Sequence, residues 1–344
     1  MVNAMNTTRN ARPHRRYGRP VLWSVCVLTA VAHQGIAVYA QPASPFSATL
    51  QVAAVDEAFD GEFAMSVLRQ ICDLGPRISG TQAMRRQQEL LKAHFEFCQG
   101  QVGLQTFTAV HPLNNQRVEL ANLIVRWHPE RKRRIMFCCH YDTRPLPDRD
   151  RIDPQGLFLG ANDGASGVGW LAELGRHMPA LAGKYGVDIV FFDAEELVYL
   201  HGRDPMFLGS THFANEYAAR RWDVQYDYAI LVDMIGDADL QVYFEGNSLR
   251  YAQRLTKSIW AVAKELGVTE FIAEKRHEIR DDHLPLNIIA KIPTCDVIDF
   301  DFPNPQVGNI YWHTREDVPD RCSADSLEKV GRVLLEWTRQ LQKL

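Results

Sequence analysis

Asp188-Ile189-Val190-Phe191-Phe192-Asp193-Ala194-Glu195-Glu196 is the stretch that decides the fold. Its apolar run has the length and bulk of a strand buried on both faces. The run stops abruptly in carboxylates, and packing alone does not explain that ending, because a buried, unpaired carboxylate is costly. The pattern recurs elsewhere in the chain. Residues 134–139 form a short apolar strand that runs into His140-Tyr141-Asp142. Residues 228–232 form another that stops at Asp233, and 294–300 a last one, followed by a loop and His313. Asp163 sits in Gly160-Ala161-Asn162-Asp163-Gly164-Ala165, where a helix over 166–177 begins.

Between these strands, periodicity and end signals predict helices over 63–74, 81–98, 208–219, 249–266 and 324–341. Two further strands are predicted over 102–110 and 119–126. Strands alternating with helices imply an α/β domain whose mostly parallel sheet is covered on both faces. In such sheets ligands bind beyond the carboxyl ends of the strands, so the polar groups that end these strands should converge. Residues 143–158 alternate Arg and Asp and read as a solvated loop.

The composition is that of an ordinary globular chain, with 46% hydrophobic and 23% charged residues. A net charge of −4 does not point to nucleic acid, whose binders usually carry a basic face. Arg9, Arg12, Arg15, Arg16 and Arg19 precede an apolar stretch over 21–32, and Val38-Tyr39-Ala40 presents small residues for cleavage. Residues 1–40 therefore read as an export signal, cut near Ala40, that sends the chain to the periplasm or out of the cell. The alternative, an uncleaved anchor, would be its one contact with a membrane. A loose extension over 41–60 and a single catalytic domain over 61–344 complete the expected organisation. Cys72, Cys98, Cys138, Cys139, Cys295 and Cys322 remain after cleavage, and without a Cys-x-x-Cys spacing they suggest no zinc site of their own.

Zinc takes imidazole nitrogen and carboxylate oxygen, and catalytic sites leave one position open. Asp163, Glu196 and His313 would supply three ligands. Glu195 would stand beside the metal without binding it, free to carry protons. His140 and Asp233 would suit a second metal, with Asp142 hydrogen-bonded to the far nitrogen of His140. Taken singly, each residue has a plainer reading: a helix cap, a solvated Glu pair, a structural His. Their shared place at the ends of successive strands is what favours chemistry.

Several motifs occur in order: Gly75-Pro76-Arg77-Ile78-Ser79-Gly80, His140-Tyr141-Asp142, Gly160-Ala161-Asn162-Asp163-Gly164-Ala165-Ser166-Gly167, Phe191-Phe192-Asp193-Ala194-Glu195-Glu196 and Leu208-Gly209-Ser210. Together they resemble the zinc aminopeptidase superfamily that includes the glutaminyl cyclases, over roughly residues 60–341. The resemblance implies a three-layer α/β/α sandwich with a mostly parallel, mixed central sheet. It also implies zinc at Asp163, Glu196 and His313, with Glu195 as general acid/base.

Two later motifs favour the cyclase branch, which acts on the N-termini of peptides and proteins. Asp281-Asp282-His283-Leu284-Pro285 resembles the cyclase Asp-Asp-His-x-Pro segment, and Trp312-His313-Thr314 its Trp-His-Thr. The cyclase reading gives Asp281 and Asp233 the positioning of nitrogen groups. It puts Trp312 and Phe302 on the substrate pocket, with Asp142 and His283 supporting the site from behind. An aminopeptidase with a dinuclear site at the same residues is the alternative. A binding-only role is disfavoured because the ligand set and Glu195 are all present. The chain departs from animal cyclases where a pocket tryptophan would follow the Glu pair: His201 and Gly202 occupy that neighbourhood. Asp296 stands near the place of a supporting histidine, and residues 304–309 insert beside Phe302.

Overall fold

Strands that are apolar on both faces must be covered on both, and that requirement organises the molecule. The computed structural model describes residues 43–47, 49–181, 183–303 and 311–343; the expected signal at 1–40 and the insert at 304–309 lie outside them. The chain runs α1 (Gly61–Cys72), α2 (Gln82–Phe97), β1 (Gln101–Val110), β2 (Arg117–Trp127), β3 (Arg133–His140), α3 (Ser166–His177), β4 (Gly186–Phe192), α4 (Leu208–Ala218), β5 (Gln225–Asp233), β6 (Val242–Phe244), α5 (Gly246–Tyr251), α6 (Gln253–Leu266), β7 (Phe271–Lys275), α7 (His283–Pro285), β8 (Thr294–Ile298) and α8 (Ala324–Lys343).

Six strands pair in the order β1-β2-β4-β3-β5-β8, and β6 and β7 form a separate parallel pair. β4, β3, β5 and β8 run parallel, whereas β2 is antiparallel to both β4 and β1. The sheet is mixed and mostly parallel, as expected. After β3 the chain moves to β4 on one side and then to β5 on the other, so the strand order reverses at β3. That reversal opens a crevice at the carboxyl ends of these strands.

Alternation along β3 divides the core. Ile135, Phe137 and Cys139 join the cluster that α1, α2, α3, α6 and α8 complete. Met136 and Cys138 face the other way, with Val190, Phe192, Ala229 and Leu231, against Phe213 and Ala214 of α4. Every residue of α3 is buried. At Gly169 of α3 a Cβ would stand 2.4 Å from the Ala64 carbonyl oxygen, so α1 and α3 can approach this closely only over glycine. Asp60 and Thr81 cap α1 and α2 by accepting from the backbone N–H groups of Phe63 and Met84.

Several expectations change. The segment before α1 is not loose. Its described residues form no helix or regular strand, yet Phe46, Ala53 and Phe59 are buried, and the Phe59 ring stacks 5.5 Å from Trp170. Arg176 holds it, donating to the Gln51 carbonyl at 2.8 Å and accepting from Ala53 N–H at 3.0 Å. The helix predicted over 249–266 is two, because Ala252 leaves helical geometry (φ −134°, ψ 34°) and Glu245 starts α5 earlier by capping Asn247 and Ser248. All six described cysteines are buried and free. Among the described residues no helix is long and apolar enough to cross a membrane. Phe59→Ala is expected to cost about 3–5 kcal/mol of stability, read as a lower urea midpoint at unchanged slope. A midpoint equal to that of the parent protein would mean that this segment is not part of the core.

Candidate active site

Backbone constraints bring the strand ends together before any side-chain chemistry begins. Past β4, Ala194 takes a left-handed conformation (φ 58°) and turns the chain sharply. Asp142, just past β3, fixes that turn by accepting from the N–H of Glu195 at 3.1 Å and of Glu196 at 3.0 Å. Ser79 donates to Asp193 at 2.7 Å and to Asp142 at 3.3 Å, tying the Gly-Pro-Arg-Ile-Ser-Gly segment to both strand ends. Arg77 from the same segment is fully buried and donates to the carbonyls of Leu159 and Gly160. Asp317 accepts from the N–H groups of Asn162 and Asp163 at 2.7 and 3.1 Å. At Gly164 (φ 99°) the loop passes over His140, where a Cβ would stand 3.1 Å from the imidazole. Met234 and His313 also have positive φ. Such backbone outliers in one place signal function rather than packing convenience.

Several of the strand-end side chains come together. Asp163 lies between two histidines: Oδ1 is 3.2 Å from His140 Nε2, and Oδ2 is 3.5 Å from His313 Nε2. Glu196 Oε1 is 2.9 Å from His313 Nε2, and Asp233 Oδ1 is 3.3 Å from His140 Nε2. Donors bound about 2.0–2.2 Å from one tetrahedral zinc sit roughly 3.3–3.6 Å apart. The Asp163–His313 separation falls in that range and the Glu196–His313 one is shorter. One donor each from His140, Asp163 and Glu196 also lies within 4.8 Å of the others, so these groups crowd around a place for a small cation. Asp163 Oδ2 is buried and has no hydrogen-bond partner, which leaves it open to a cation. Zinc is the ion that this set of one nitrogen and two oxygens suits.

Electrostatics point the same way. Burial and Glu196 push the Asp163 carboxyl up to about 6. Burial also opposes ionisation of Glu196, but His313 and Arg144 override it and hold that carboxyl at about 2. Against burial, Glu196 and Asp148 raise the His313 imidazole to about 9. Burial and then Glu196 drive Glu195 well above the usual carboxylate range, and burial and then Asp233 do so for Asp281.

These groups line a cavity of about 310 Å³, together with Asp233, Asp281, His201, Phe300 and Trp312. A larger groove of about 940 Å³, lined by Arg133 and Gln225 at the opposite ends of the strands, holds no such set of donors. Three expectations need correction. Asp142 Oδ1 is 3.7 Å from His140 Nδ1, too long for a hydrogen bond, because both of its oxygens serve the Glu195-Glu196 turn. The wall aromatic is Phe300; Phe302 is buried, with its ring 5.3 Å from Tyr311. Residues 143–158 are not merely solvated. Arg144 donates to Glu196 from its backbone at 3.0 Å and from its guanidinium at 3.2 Å. Asp148 lies 3.1 Å from His313 Nδ1. His283 does not reach the cavity. It is buried behind Asp281, 3.5 Å from both Glu245 and Asp296.

Arg144, Asp148, Asp317 and Ser79 hold the candidate site in place, and sequence reasoning missed that role. Asp148→Asn, which leaves the ligands intact, is expected to weaken metal binding about 10–100-fold. Asp163→Asn is expected to abolish stoichiometric metal. Both are read by competition with a chromogenic chelator, and unchanged affinity in both variants would rule out a metal centre here.

Residues 122–338 match Peptidase family M28. The chain is 27% identical over 248 residues to the glutaminyl-peptide cyclotransferase of Bos taurus, a match spanning 62% of this chain and 65% of the bovine one, a little under two-thirds of its length. It superposes on the crystal structure of Fimbriiglobus ruber glutaminyl cyclase with a TM-score of 0.77 and 37% identity, covering 82% of this chain and 95% of that one. A Zn-dependent exopeptidase from Parabacteroides distasonis gives a TM-score of 0.75 and 29% identity, covering 83% and 99%. With the fold, the strand-end motifs and a match over most of its length in agreement, the chain belongs to peptidase family M28.

Proposed function

We propose that the protein is a zinc-dependent glutaminyl-peptide cyclotransferase, which converts the N-terminal glutamine of peptides and proteins to pyroglutamate and releases ammonia. One observation carries the reading. The Glu195 carboxylate has no hydrogen-bond partner among the described residues and lines the cavity beside the Asp163, Glu196 and His313 donors, with Asp281 and Trp312 on the same walls. The likeness to glutaminyl cyclases supports it.

A zinc held by Asp163, Glu196 and His313 would supply a Lewis acid for the substrate's side-chain amide oxygen. The remaining chemistry falls to the chain's own groups. The α-amine nitrogen attacks the side-chain carbonyl carbon, a C–N bond forms, and the bond to the amide nitrogen breaks. Glu195 takes a proton from the attacking nitrogen and returns one to the departing nitrogen, which leaves as ammonia. Burial and Glu196 raise the proton affinity of Glu195, which suits a group that must both accept and donate. Asp281 and Asp233 would receive hydrogen bonds from the α-amine and orient it. Trp312 would close the cavity to water. Because the nucleophile and the electrophile belong to one residue, orientation supplies much of the acceleration.

A second reading has an observation of its own. Asp163 turns one oxygen to His140 and the other to His313, an arrangement that suits a carboxylate bridging two cations. A dinuclear aminopeptidase would use it so, with Glu195 deprotonating water. Export before action is part of the proposal, supported by the basic and apolar segments that precede Ala40.

Glu195→Gln is expected to keep its zinc and to lower ammonia release from a glutamine-initiated peptide at least about 100-fold. Metal content and a coupled ammonia assay read the two quantities separately. Full turnover in that variant would remove Glu195 from the mechanism, and two tightly held zinc ions per chain would favour the aminopeptidase.

A further inference from the structure

The mouth of the cavity carries the opposite charge from its floor. The floor is made of carboxylates: Asp163, Glu195, Glu196, Asp233 and Asp281. The exposed lining carries Arg149 and Arg280, with Glu278 as its one carboxylate. Asp281, next to Arg280, is buried in the floor, and the exposed acidic groups near these cations in sequence are already engaged. Asp148 lies 3.0 Å from Arg144 and 3.1 Å from His313, and Glu278 is 3.4 Å from both Arg250 and Lys275. Among the described residues neither Arg149 nor Arg280 pairs with a carboxylate, in a protein whose net charge is −4.

Arg149 is also held in place. Its guanidinium carbon lies 3.9 Å from the centre of the Trp312 ring, a cation–π contact. Its backbone N–H donates to the His313 carbonyl at 3.1 Å. The Trp312 and His313 rings are themselves 4.1 Å apart, centre to centre. A fixed positive charge thus stands one aromatic ring away from a proposed metal ligand. An extended peptide advances about 3.5 Å per residue. If the first side chain reaches the floor, the second residue lies at the level of this cation.

We propose that Arg149, seconded by Arg280, makes the site select peptides with an acidic side chain at the second position. The inference rests on the cyclase reading and adds a substrate class to it. The floor's negative charge holds the metal and the α-amine, and the rim's positive charge reads the second side chain.

The test compares three C-terminally amidated tripeptides, Gln-Glu-Ala, Gln-Ala-Ala and Gln-Lys-Ala, by initial rates of ammonia release. The expected order of kcat/KM is Glu over Ala over Lys. The extreme values should differ by about tenfold at low salt, mainly in KM, and converge as salt is added. Arg149→Lys should keep the order, Arg149→Ala should shrink the ratio to about twofold or less, and Arg149→Glu should invert it. If Arg149 only buttressed Trp312, its loss would raise KM for all three peptides alike and leave the ratio untouched; that result overturns the proposal. Equal rates on all three with the parent enzyme overturn it as well, while leaving the cyclase reading in place. No ammonia from any of them overturns both.

Discussion

Several carboxylates buried in one cavity need positive charge, and the supply of that charge shapes the rest of the structure. Asp163, Glu195, Glu196, Asp233 and Asp281 share one crevice at the strand ends. The opposite end of the sheet shows what a satisfied buried carboxylate looks like. There Asp188 accepts from Arg134 Nε at 2.9 Å and from the Tyr226 hydroxyl, with Arg126 at 3.4 Å. In the crevice the cations are fewer than the anions. Arg144 serves Glu196, the two histidines stand between carboxylates, and Asp163 and Asp281 keep oxygens without partners. Desolvated like charges repel strongly at this range. A divalent cation of the kind proposed would answer that repulsion, and the candidate donors lie close enough together to receive one.

Holding the cluster open takes as much of the structure as filling it. The Asp142 carboxylate pins the Glu195-Glu196 turn, and Asp317 pins the loop that carries Asp163. Asp148 and Arg144 reach in from a long loop to orient His313 and Glu196. Left-handed backbone at Ala194, Met234 and His313 aims the active side chains where regular strand geometry would not. Arg149 continues the same loop outward to the rim, so the part that orients the proposed metal ligands also carries the charge that would read the substrate.

The strands and the floor of the site were legible in sequence for a local reason. An apolar run that ends in polar groups states both its burial and its terminus within a few residues, so β3, β4 and β5 and the residues after them read directly. The supporting groups were not legible, because their partners are remote in the chain. His313 and Asp148 are 165 residues apart, Asn162 and Asp317 are 155, and Arg144 and Glu196 are 52. Alternating Arg and Asp over 143–158 therefore looked like a solvated surface. Had the strand run on, period two would have put Phe300 and Phe302 on one face; β8 ends at Ile298, and beyond it the irregular chain sends Phe300 to the cavity and Phe302 into the core. β6 and β7 are short strands whose pairing is tertiary, and Phe59 is buried only because α3 and α8 form a wall for it. Local sequence carries none of this.

The product formed from a glutamine-initiated peptide with a blocked C-terminus tests the central claim most directly. Mass spectrometry should find the peptide lighter by one ammonia, with every peptide bond intact. A peptide shortened by its first residue, with free glutamine beside it, would contradict the account and assign the same carboxylates and histidines to hydrolysis.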